Sequence, residues 1–212
     1  MRIIEPTFII ESPIDGNEIL KRLEKAGRTA YKSEDKITAD SSSAFVEMIM
    51  KHEHLSVIEH SFITVRVICD RGVSHEIVRH RLASYTQEST RFCNYTEGKF
   101  GNEITVIKPC FWDENSEEYK IWNDTIKHIE NSYNHLISLG VKAQEARSIL
   151  PNSLKTEIVI TMNLREWRHF FKLRTSPNAH PQMREIAVPL LKEFQKRIPV
   201  VFDRINTDEK LK

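Results

Sequence analysis

Phe62-Ile-Thr-Val-Arg-Val-Ile-Cys69 is the stretch that most clearly places a sheet in this chain. Ile63, Val65 and Val67 alternate with aromatic or polar residues, which is the pattern of a strand buried on one face. Further runs rich in β-branched residues predict strands over 3–10, 103–107 and 157–161.

Apolar residues spaced three or four apart predict helices on both sides of these strands. One long stripe runs from Tyr119 to Leu136 and stops at Gly140, and another runs from Met183 to Phe194 with a kink expected at Pro189. Shorter helices are predicted near 17–25 and 42–51. We therefore expect an α+β fold, with helices packed on a mixed, largely antiparallel sheet, in a single domain over 1–206 followed by a frayed polar tail, 207–212.

Composition narrows the functional classes. The 212 residues are 40% hydrophobic and 29% charged, with a formal net charge of +1, so no bulk basic field recruits nucleic acid or an anionic membrane. Cys69, Cys93 and Cys110 lack the Cys-x-x-Cys spacing of a zinc or redox site. No apolar signal segment or membrane-length run is evident. We expect a cytoplasmic protein with reduced thiols.

The segment from Arg79 to Arg91 reads Arg-His-Arg-Leu-Ala-Ser-Tyr-Thr-Gln-Glu-Ser-Thr-Arg. Its guanidinium and hydroxyl groups match the oxygens of phosphates and carboxylates. If residues 74–82 are helical, Arg79 and Arg81 point in nearly opposite directions, and one segment could bind two anionic ligands. The alternative is a solvated basic turn, because matches to a three-residue motif are common.

A second segment combines helix signals with a charge. Asn163 and Glu166 have the spacing of a capping box, in which each side chain bonds the other's backbone N–H. Trp167, Phe170 and Arg174 then fall on one face of the helix. A guanidinium on an apolar face either finds a partner or extends to solvent at the helix end.

These segments resemble the flavin-dependent thymidylate synthases. The hallmark of that family is Arg-His-Arg, seven residues and then Ser, which is matched by Arg79, His80, Arg81 and Ser89. Other blocks similar to the family's follow in its order: His52-Glu-His-Leu-Ser-Val-Ile-Glu-His60, Glu145-Ala-Arg-Ser-Ile-Leu-Pro151, Thr161-Met-Asn-Leu-Arg165 and Leu173-Arg174. The resemblance implies that family's fold and the reductive methylation of dUMP to dTMP. FAD would be the cofactor, NAD(P)H the reductant and 5,10-methylenetetrahydrofolate the one-carbon donor, with tetrahydrofolate released.

The resemblance also implies which residues bind the cofactor. Flavin contacts are implied for Ser56, Arg79, His80, Arg81, Gln87, Asn163, Arg165 and His169, and His54 would border the flavin ring near the folate as a catalytic residue. Only 6 Gly are present and Gly-x-Gly-x-x-Gly is absent, so side-chain donors would have to hold the dinucleotide. Relatives form homotetramers with active sites shared between subunits, which is the assembly we expect.

Nucleotide contacts are implied for a second group of residues. These are Glu76, Arg79, Gln87, Glu88, Ser89, Thr90, Arg91, Arg147 and Arg174. Ser89 and Arg174 are expected to act in catalysis, Ser89 as a nucleotide-binding hydroxyl and Arg174 by polarising the uracil ring. Some relatives carry Gln where this chain has Glu76, and we expect that carboxylate to pair with Arg79 or His80.

Two other classes remain open on the residues alone. A nucleic-acid-binding module would place Arg79, Arg81 and Arg91 on phosphates, with aromatic residues for stacking. A metal-dependent hydrolase could use the histidines of 52–60, but the His-Glu-x-x-His pattern of a zincin helix is absent. We expect no metal, nucleic acid or membrane to bind.

Overall fold

The computed structural model describes residues 1–96, 98, 101 and 103–207. The fold is α+β, as the sequence predicts. The predicted polar tail, 207–212, lies outside the described residues except for Thr207. Within the described ranges, no helix has both the length and the apolar character needed to cross a membrane.

The strands form two sheets. They are β1 (Arg2–Ile4), β2 (Thr7–Ile10), β3 (Phe62–Asp70), β4 (Ala83–Gln87), β5 (Thr105–Ile107) and β6 (Lys155–Asn163). Strands β1 and β5 pair in parallel, with Ile3 opposite Val106, and the larger sheet has the order β2-β3-β6-β4. The backbone N–H of Leu164 donates to the carbonyl of Ser61, and that of Arg71 donates to the carbonyl of Leu154. The start of β3 therefore lies beside the end of β6, and the two strands run antiparallel.

Local signals mark some of the helix ends. The helices are α1 (Gly16–Arg28), α2 (Ser41–Lys51), α3 (Arg71–Ile77), α4 (Glu117–Ser138), α5 (Ala143–Ala146), α6 (Leu164–Arg174), α7 (Pro181–Arg197) and α8 (Pro199–Phe202). Ser116 caps the N-terminus of α4 through its side chain. Gly140 has a φ of +84°, the left-handed conformation in which a chain commonly leaves a helix.

The residues group into two compact units. The first contains 1–7, 67–79 and 86–158, and the second contains 8–66, 80–85 and 159–212. The core of the first unit is formed by Tyr95, Ile104, Val106, Ile126, Tyr133, Ala146 and Leu154. In the second unit Trp167 and Phe171 of α6 contact Phe194 of α7. The single domain expected from the sequence stays a prediction.

Two local predictions were wrong. The strand expected over 3–10 is split into β1 and β2 around Pro6, since proline has no N–H to donate within a sheet. The helix considered over 74–82 ends at Ile77. His80 is buried among residues of α6, so tertiary contacts override the helical continuation, and the opposite-face argument for Arg79 and Arg81 does not apply.

Candidate active site

Helix α6 and its N-cap carry three of the predicted flavin positions, Asn163, Arg165 and His169. Asn163 is the N-cap and accepts the backbone N–H of Glu166 at 2.8 Å, which confirms half of the predicted capping box. The carboxylate of Glu166 instead faces His80. Arg165 and His169 are both exposed, one turn apart, while Trp167 is fully buried and donates its indole N–H to the carbonyl of Ile63.

A cavity of about 530 Å³ opens beside this helix. Its lining residues are Leu55, Glu59, Arg81, Leu82, Asn163, Arg165, Glu166, Arg168, His169 and Lys172. Cationic side chains outnumber the two carboxylates, so the cavity favours an anionic ligand. Nη1 of Arg165 lies 2.7 Å from Oε1 of Glu59. This exposed ion pair orients the guanidinium. Four of the predicted flavin positions, Arg81, Asn163, Arg165 and His169, thus meet in one cavity.

His80 lies between the two ends of α6. Its Nδ1 is 3.2 Å from Oε1 of Glu166, and its Nε2 accepts a hydrogen bond from Nε of Arg174 at 3.0 Å. His80 is only 4% exposed, and the ring of Phe170 packs edge-on against it at 5.0 Å. Burial raises the pKa of Glu166, and the backbone N–H of Arg81 opposes that rise by donating to the carboxylate. The buried His80 imidazole is thus a hydrogen-bond partner of Arg174.

His54 and Ser56 precede a short 3₁₀ turn, Val57–His60, and both are exposed. His54 lines a different cavity of about 270 Å³ with Tyr31, Phe45 and Met48. That cavity is largely apolar. His54 is therefore not among the residues that line the cavity beside α6, and its expected position near the flavin ring stays a prediction, as does the role of Ser56.

The predicted nucleotide positions lie mainly in the first unit, on the loop that follows β4. The Gln87 side chain donates to the hydroxyls of Ser74 at 2.9 Å and Thr156 at 3.2 Å. The carboxylate of Glu88 lies 2.9 Å from Nζ of Lys155. This ion pair reduces the repulsion that Glu88 would exert on a nearby phosphate.

Ser89, Thr90 and Arg91 form a turn next to Arg147. The Ser89 hydroxyl accepts the backbone N–H of Arg91 at 3.3 Å, and Nη1 of Arg147 donates to the Thr90 hydroxyl at 3.2 Å. The Nε of Arg91 donates to the side-chain oxygen of Gln144 at 3.2 Å. Both guanidiniums are exposed and are held by neutral groups, so their charge is suited to an incoming anion.

Arg79 and Glu76 lie at the C-terminal end of α3. Arg79 is exposed, and its backbone N–H donates to the carbonyl of Glu76 at 3.4 Å. The carboxylate found beside His80 is Glu166. The expected pairing of Glu76 with Arg79 or His80 stays a prediction, as do the nucleotide contacts of Glu76 and Arg79.

The contact between Glu166 and His80 is one that no sequence pattern indicates. The position of Glu166 three residues after Asn163 was accounted for by the helix cap, and His80 lies 86 residues away in the chain, so no local spacing relates them. The ligand atoms of His80, Glu166 and His169 also lie within 4.8 Å of one another, as a metal site would require. The Arg174 guanidinium beside His80 disfavours a cation there.

Comparisons with known proteins find relatives over most of the chain. Residues 14–200 match the family described as thymidylate synthase complementing protein. The flavin-dependent thymidylate synthase of Pyrococcus furiosus is 36% identical over 172 residues, which cover 81% of this chain and 70% of the relative. The enzyme of the same name from Geobacter sulfurreducens is 33% identical over 169 residues, covering 79% and 71%.

A solved structure has the same fold. The UMP/dUMP methylase PolB from Streptomyces cacaoi, bound with 5-Br dUMP, superposes with a TM-score of 0.77 over 96% of each chain, at 20% identity. That likeness concerns the fold, whereas the match over 14–200 and the identities above 30% concern ancestry. The chain belongs to the thymidylate synthase complementing protein family.

Proposed function

We propose that this protein is a flavin-dependent thymidylate synthase that methylates dUMP to dTMP. FAD is the cofactor, 5,10-methylenetetrahydrofolate the one-carbon donor and NAD(P)H the reductant, and tetrahydrofolate is released. The observation that carries the proposal is the meeting of Arg81 with Asn163, Arg165 and His169 around one cationic cavity. These residues belong to two motifs that are distant in sequence, and the family relationship supports the same activity.

The cationic lining of the cavity supports binding of the pyrophosphate part of a flavin dinucleotide. The cavity has a volume of about 530 Å³, which falls within the range of small-molecule sites, and its guanidiniums suit a pyrophosphate. Arg165 is held by Glu59, and Asn163 is fixed by capping α6, so both side chains are oriented in advance. When bound, FAD supplies the redox chemistry that converts the transferred one-carbon unit to a methyl group.

The dUMP phosphate is assigned to the turn at 89–91 and to Arg147. Arg91 and Arg147 are held by neutral partners and can each give a charge-assisted hydrogen bond to a phosphate oxygen. Gln87, Glu88 and Thr90 shape this turn. Arg174 is assigned to the uracil ring, where a cation stabilises the negative charge that develops on the ring oxygens.

Ser89 is assigned to binding. A serine nucleophile requires a neighbouring base that removes its proton. The partner of the Ser89 hydroxyl oxygen in this turn is the backbone N–H of Arg91, which donates a hydrogen bond and cannot accept a proton. This contact supports a role in positioning the nucleotide.

We assign the cofactor and nucleotide residues to active sites that are shared by the subunits of a homotetramer. His54, Ser56 and the neighbouring folate position belong to the same shared site. An assembly of this kind lets one subunit's cationic cavity act on a nucleotide that another subunit binds.

Purified protein with measured FAD content tests the function directly. We expect an oxidised-flavin absorption spectrum that bleaches on addition of NADPH or NADH, whichever the protein prefers. With dUMP and 5,10-methylenetetrahydrofolate, chromatography should show dTMP and tetrahydrofolate in equal amounts. Formation of dihydrofolate, or no dTMP in a protein that retains FAD and reduces it, would refute the proposal.

A further inference from the structure

Glu166 is a buried carboxylate whose role is wider than that of a helix-cap residue. It is 9% exposed and lies in the first turn of α6, with its carboxylate directed at His80 rather than at solvent. A buried carboxylate is tolerated where hydrogen bonds replace its hydration. The N–H groups of His80 and of the Arg81 backbone supply those bonds.

The contacts of His80 with Arg174 and Glu166 determine its tautomer. Nε of Arg174 is a donor under all ordinary conditions, so the His80 Nε2 atom that it contacts at 3.0 Å must be the acceptor. A neutral imidazole carries one N–H, which then lies on Nδ1 and donates to Glu166 at 3.2 Å. The hydrogen-bonded groups therefore follow the order Glu166 carboxylate, His80 imidazole and Arg174 guanidinium.

This arrangement clamps the two ends of one helix. Glu166 and Arg174 are eight residues apart on α6, or about 12 Å along its axis. His80 connects them from outside the helix, and its ring is held in place by Phe170 at 5.0 Å. A long arginine side chain has several rotamers, and the contact with His80 selects one of them.

Two alternatives compete for the same atoms. An imidazolium ion would turn Nε2 into a donor and place two cations in contact, and a metal ion at His80, Glu166 and His169 would lie beside the same guanidinium. Both are disfavoured by Arg174. The neutral tautomer with its proton on Nδ1 accommodates the contacts with Glu166 and Arg174.

We propose that Glu166 is a positioning residue that sets the tautomer of His80 and thereby orients Arg174 toward the pyrimidine ring of the substrate. The proposal rests on the proposed function, because it gives Arg174 its role on dUMP. Glu166 also lines the cavity assigned to the flavin, and the proposal adds to this an effect on Arg174 that passes through His80.

Glu166→Gln is the decisive substitution because it keeps the shape and removes one acceptor. With the amide oxygen bonded to the Arg81 N–H, the amide NH₂ faces Nδ1 of His80 and favours the Nε2–H tautomer, which opposes Arg174. We expect kcat for dTMP to fall roughly 10- to 100-fold, while the KM for dUMP and the FAD content change less than about twofold. Glu166→Asp, which retains both acceptors, should recover part of kcat.

Glu193→Gln is the matched control. Glu193 lies on α7, where it pairs with Arg197 as an exposed ion pair, so its replacement removes the same charge from the same unit. We expect wild-type kcat, KM and FAD content for this variant.

The tautomer is measured without turnover. In protein labelled with ¹⁵N-histidine, with His80 assigned by comparison with His80→Asn, the neutral Nδ1–H form gives a protonated Nδ1 shift and an unprotonated Nε2 shift. This readout needs no substrate, so it separates failure of the positioning proposal from failure of the proposed function. We expect the Nδ1–H form in the wild type and in Glu193→Gln, and a shift toward Nε2–H in Glu166→Gln.

Several results would overturn the proposal. These are a wild-type His80 that is doubly protonated or carries its proton on Nε2, a stoichiometric metal ion in the purified protein, or a Glu166→Gln variant that turns over like Glu193→Gln. Loss of FAD from Glu166→Gln would also do so, since Glu166 would then act on the cofactor. If Glu166→Gln does not fold, two other measurements still test the proposal. They are the His80 tautomer in the wild type and the kcat of Glu166→Asp, which we expect to lie between the wild-type value and about one-tenth of it.

Discussion

Nη1 of Arg147 lies 3.2 Å from the hydroxyl of Thr90, a residue 57 positions earlier in the chain. The contact brings a guanidinium from the end of α5 onto the turn that contains Ser89 and Arg91. Thr90 is buried, and Arg147 is exposed. A neutral hydroxyl orients the guanidinium without neutralising it, which is what a phosphate site needs.

Arg147→Ala and Arg91→Ala should each weaken dUMP binding by about 10-fold or more, because a charge-assisted hydrogen bond contributes roughly 1.5 to 3 kcal/mol. The dissociation constant can be measured by titration calorimetry. Lys127→Ala on α4 is the control, since it removes an exposed cation paired with Asp124 in the same unit.

Salt dependence separates this site from a nucleic-acid surface. Binding of a mononucleotide neutralises few charges, so its affinity should fall much less steeply with salt than the affinity of an extended polyphosphate would. A steep slope for single-stranded nucleic acid, with weak dUMP binding at all salt concentrations, would contradict the assignment of Arg91 and Arg147.

Replacing the exposed arginines that line the cavity should reduce flavin retention and leave the stability of the fold unchanged. Arg81→Ala and Arg165→Ala remove donors that line the cavity, and Arg165 contributes an exposed ion pair with Glu59 that is worth less than about 1 kcal/mol. We expect less FAD per chain by absorbance and an unchanged Tm of the flavin-free protein. Lys21→Ala, which breaks a similar exposed pair with Glu18, should retain FAD. Wild-type FAD affinity in both arginine variants would refute these flavin positions.

The fold could be predicted from the sequence wherever a residue pattern has a single physical explanation. The alternation of Ile63, Val65 and Val67 matches their burial in β3, and Gly140 follows the end of α4 with a positive φ. Strand β6 begins two residues before the predicted 157–161 segment and ends two residues after it, because a pattern fixes the centre of an element better than its ends.

The site could be predicted only in part. Motif resemblance identified Arg81, Asn163, Arg165 and His169, which the cavity brings together, yet it gave no means of finding the partner of Arg174. His80 and Glu166 are far apart in sequence, and the local capping signal already accounted for Glu166. Contacts of this kind arise from tertiary packing, and residues that meet in this way have no characteristic spacing in the sequence.

Subunit sharing gives a quantitative expectation. If Arg79 and Arg174 enter one active site from different subunits, mixing Arg79→Ala with Arg174→Ala under conditions of subunit exchange should restore up to about one quarter of wild-type activity. Sedimentation should show a tetramer for each variant. No activity in verified mixed tetramers would mean that both residues come from one chain, and an active monomer would refute the assembly.

The stability of the protein should depend on pH through Glu166. Burial raises the pKa of Glu166 above its ordinary value of 4.5, so folding favours the protonated carboxyl. The contribution of this group is fully present below its unfolded pKa and is lost as the pH rises through the folded pKa. Glu166→Gln stays neutral throughout, so its Tm relative to wild type should increase with pH over that window.

Differential scanning fluorimetry at one protein concentration measures this difference. Glu193→Gln, at an exposed position, should show no such trend. A Tm for Glu166→Gln that falls below wild type as the pH rises would show that the ionised carboxylate stabilises the fold, against the direction of the pKa shift. A turnover defect in a variant that is no less stable would come from positioning and not from unfolding.

Ser89 and Arg174 should differ sharply when replaced by alanine. The loss of a stabiliser of developing charge costs roughly 2.7 to 4 kcal/mol of barrier, whereas one neutral hydrogen bond in the bound state contributes about 1 kcal/mol. We expect Ser89→Ala to form dTMP with weaker dUMP binding. Arg174→Ala should lose about 100- to 1000-fold in turnover while NADPH oxidation without dUMP is largely spared.

Steady-state and single-turnover assays with saturating FAD measure both variants. The Ser89 hydroxyl oxygen accepts a backbone N–H, so the expected defect of Ser89→Ala lies in the dissociation constant for dUMP and not in the single-turnover rate. Arg174 is held by His80 at its Nε edge, and its removal takes away the cation assigned to the uracil ring. An inert Ser89→Ala that still binds dUMP tightly, together with a trapped covalent dUMP adduct on Ser89 in the wild type, would establish the serine as the nucleophile and overturn this assignment.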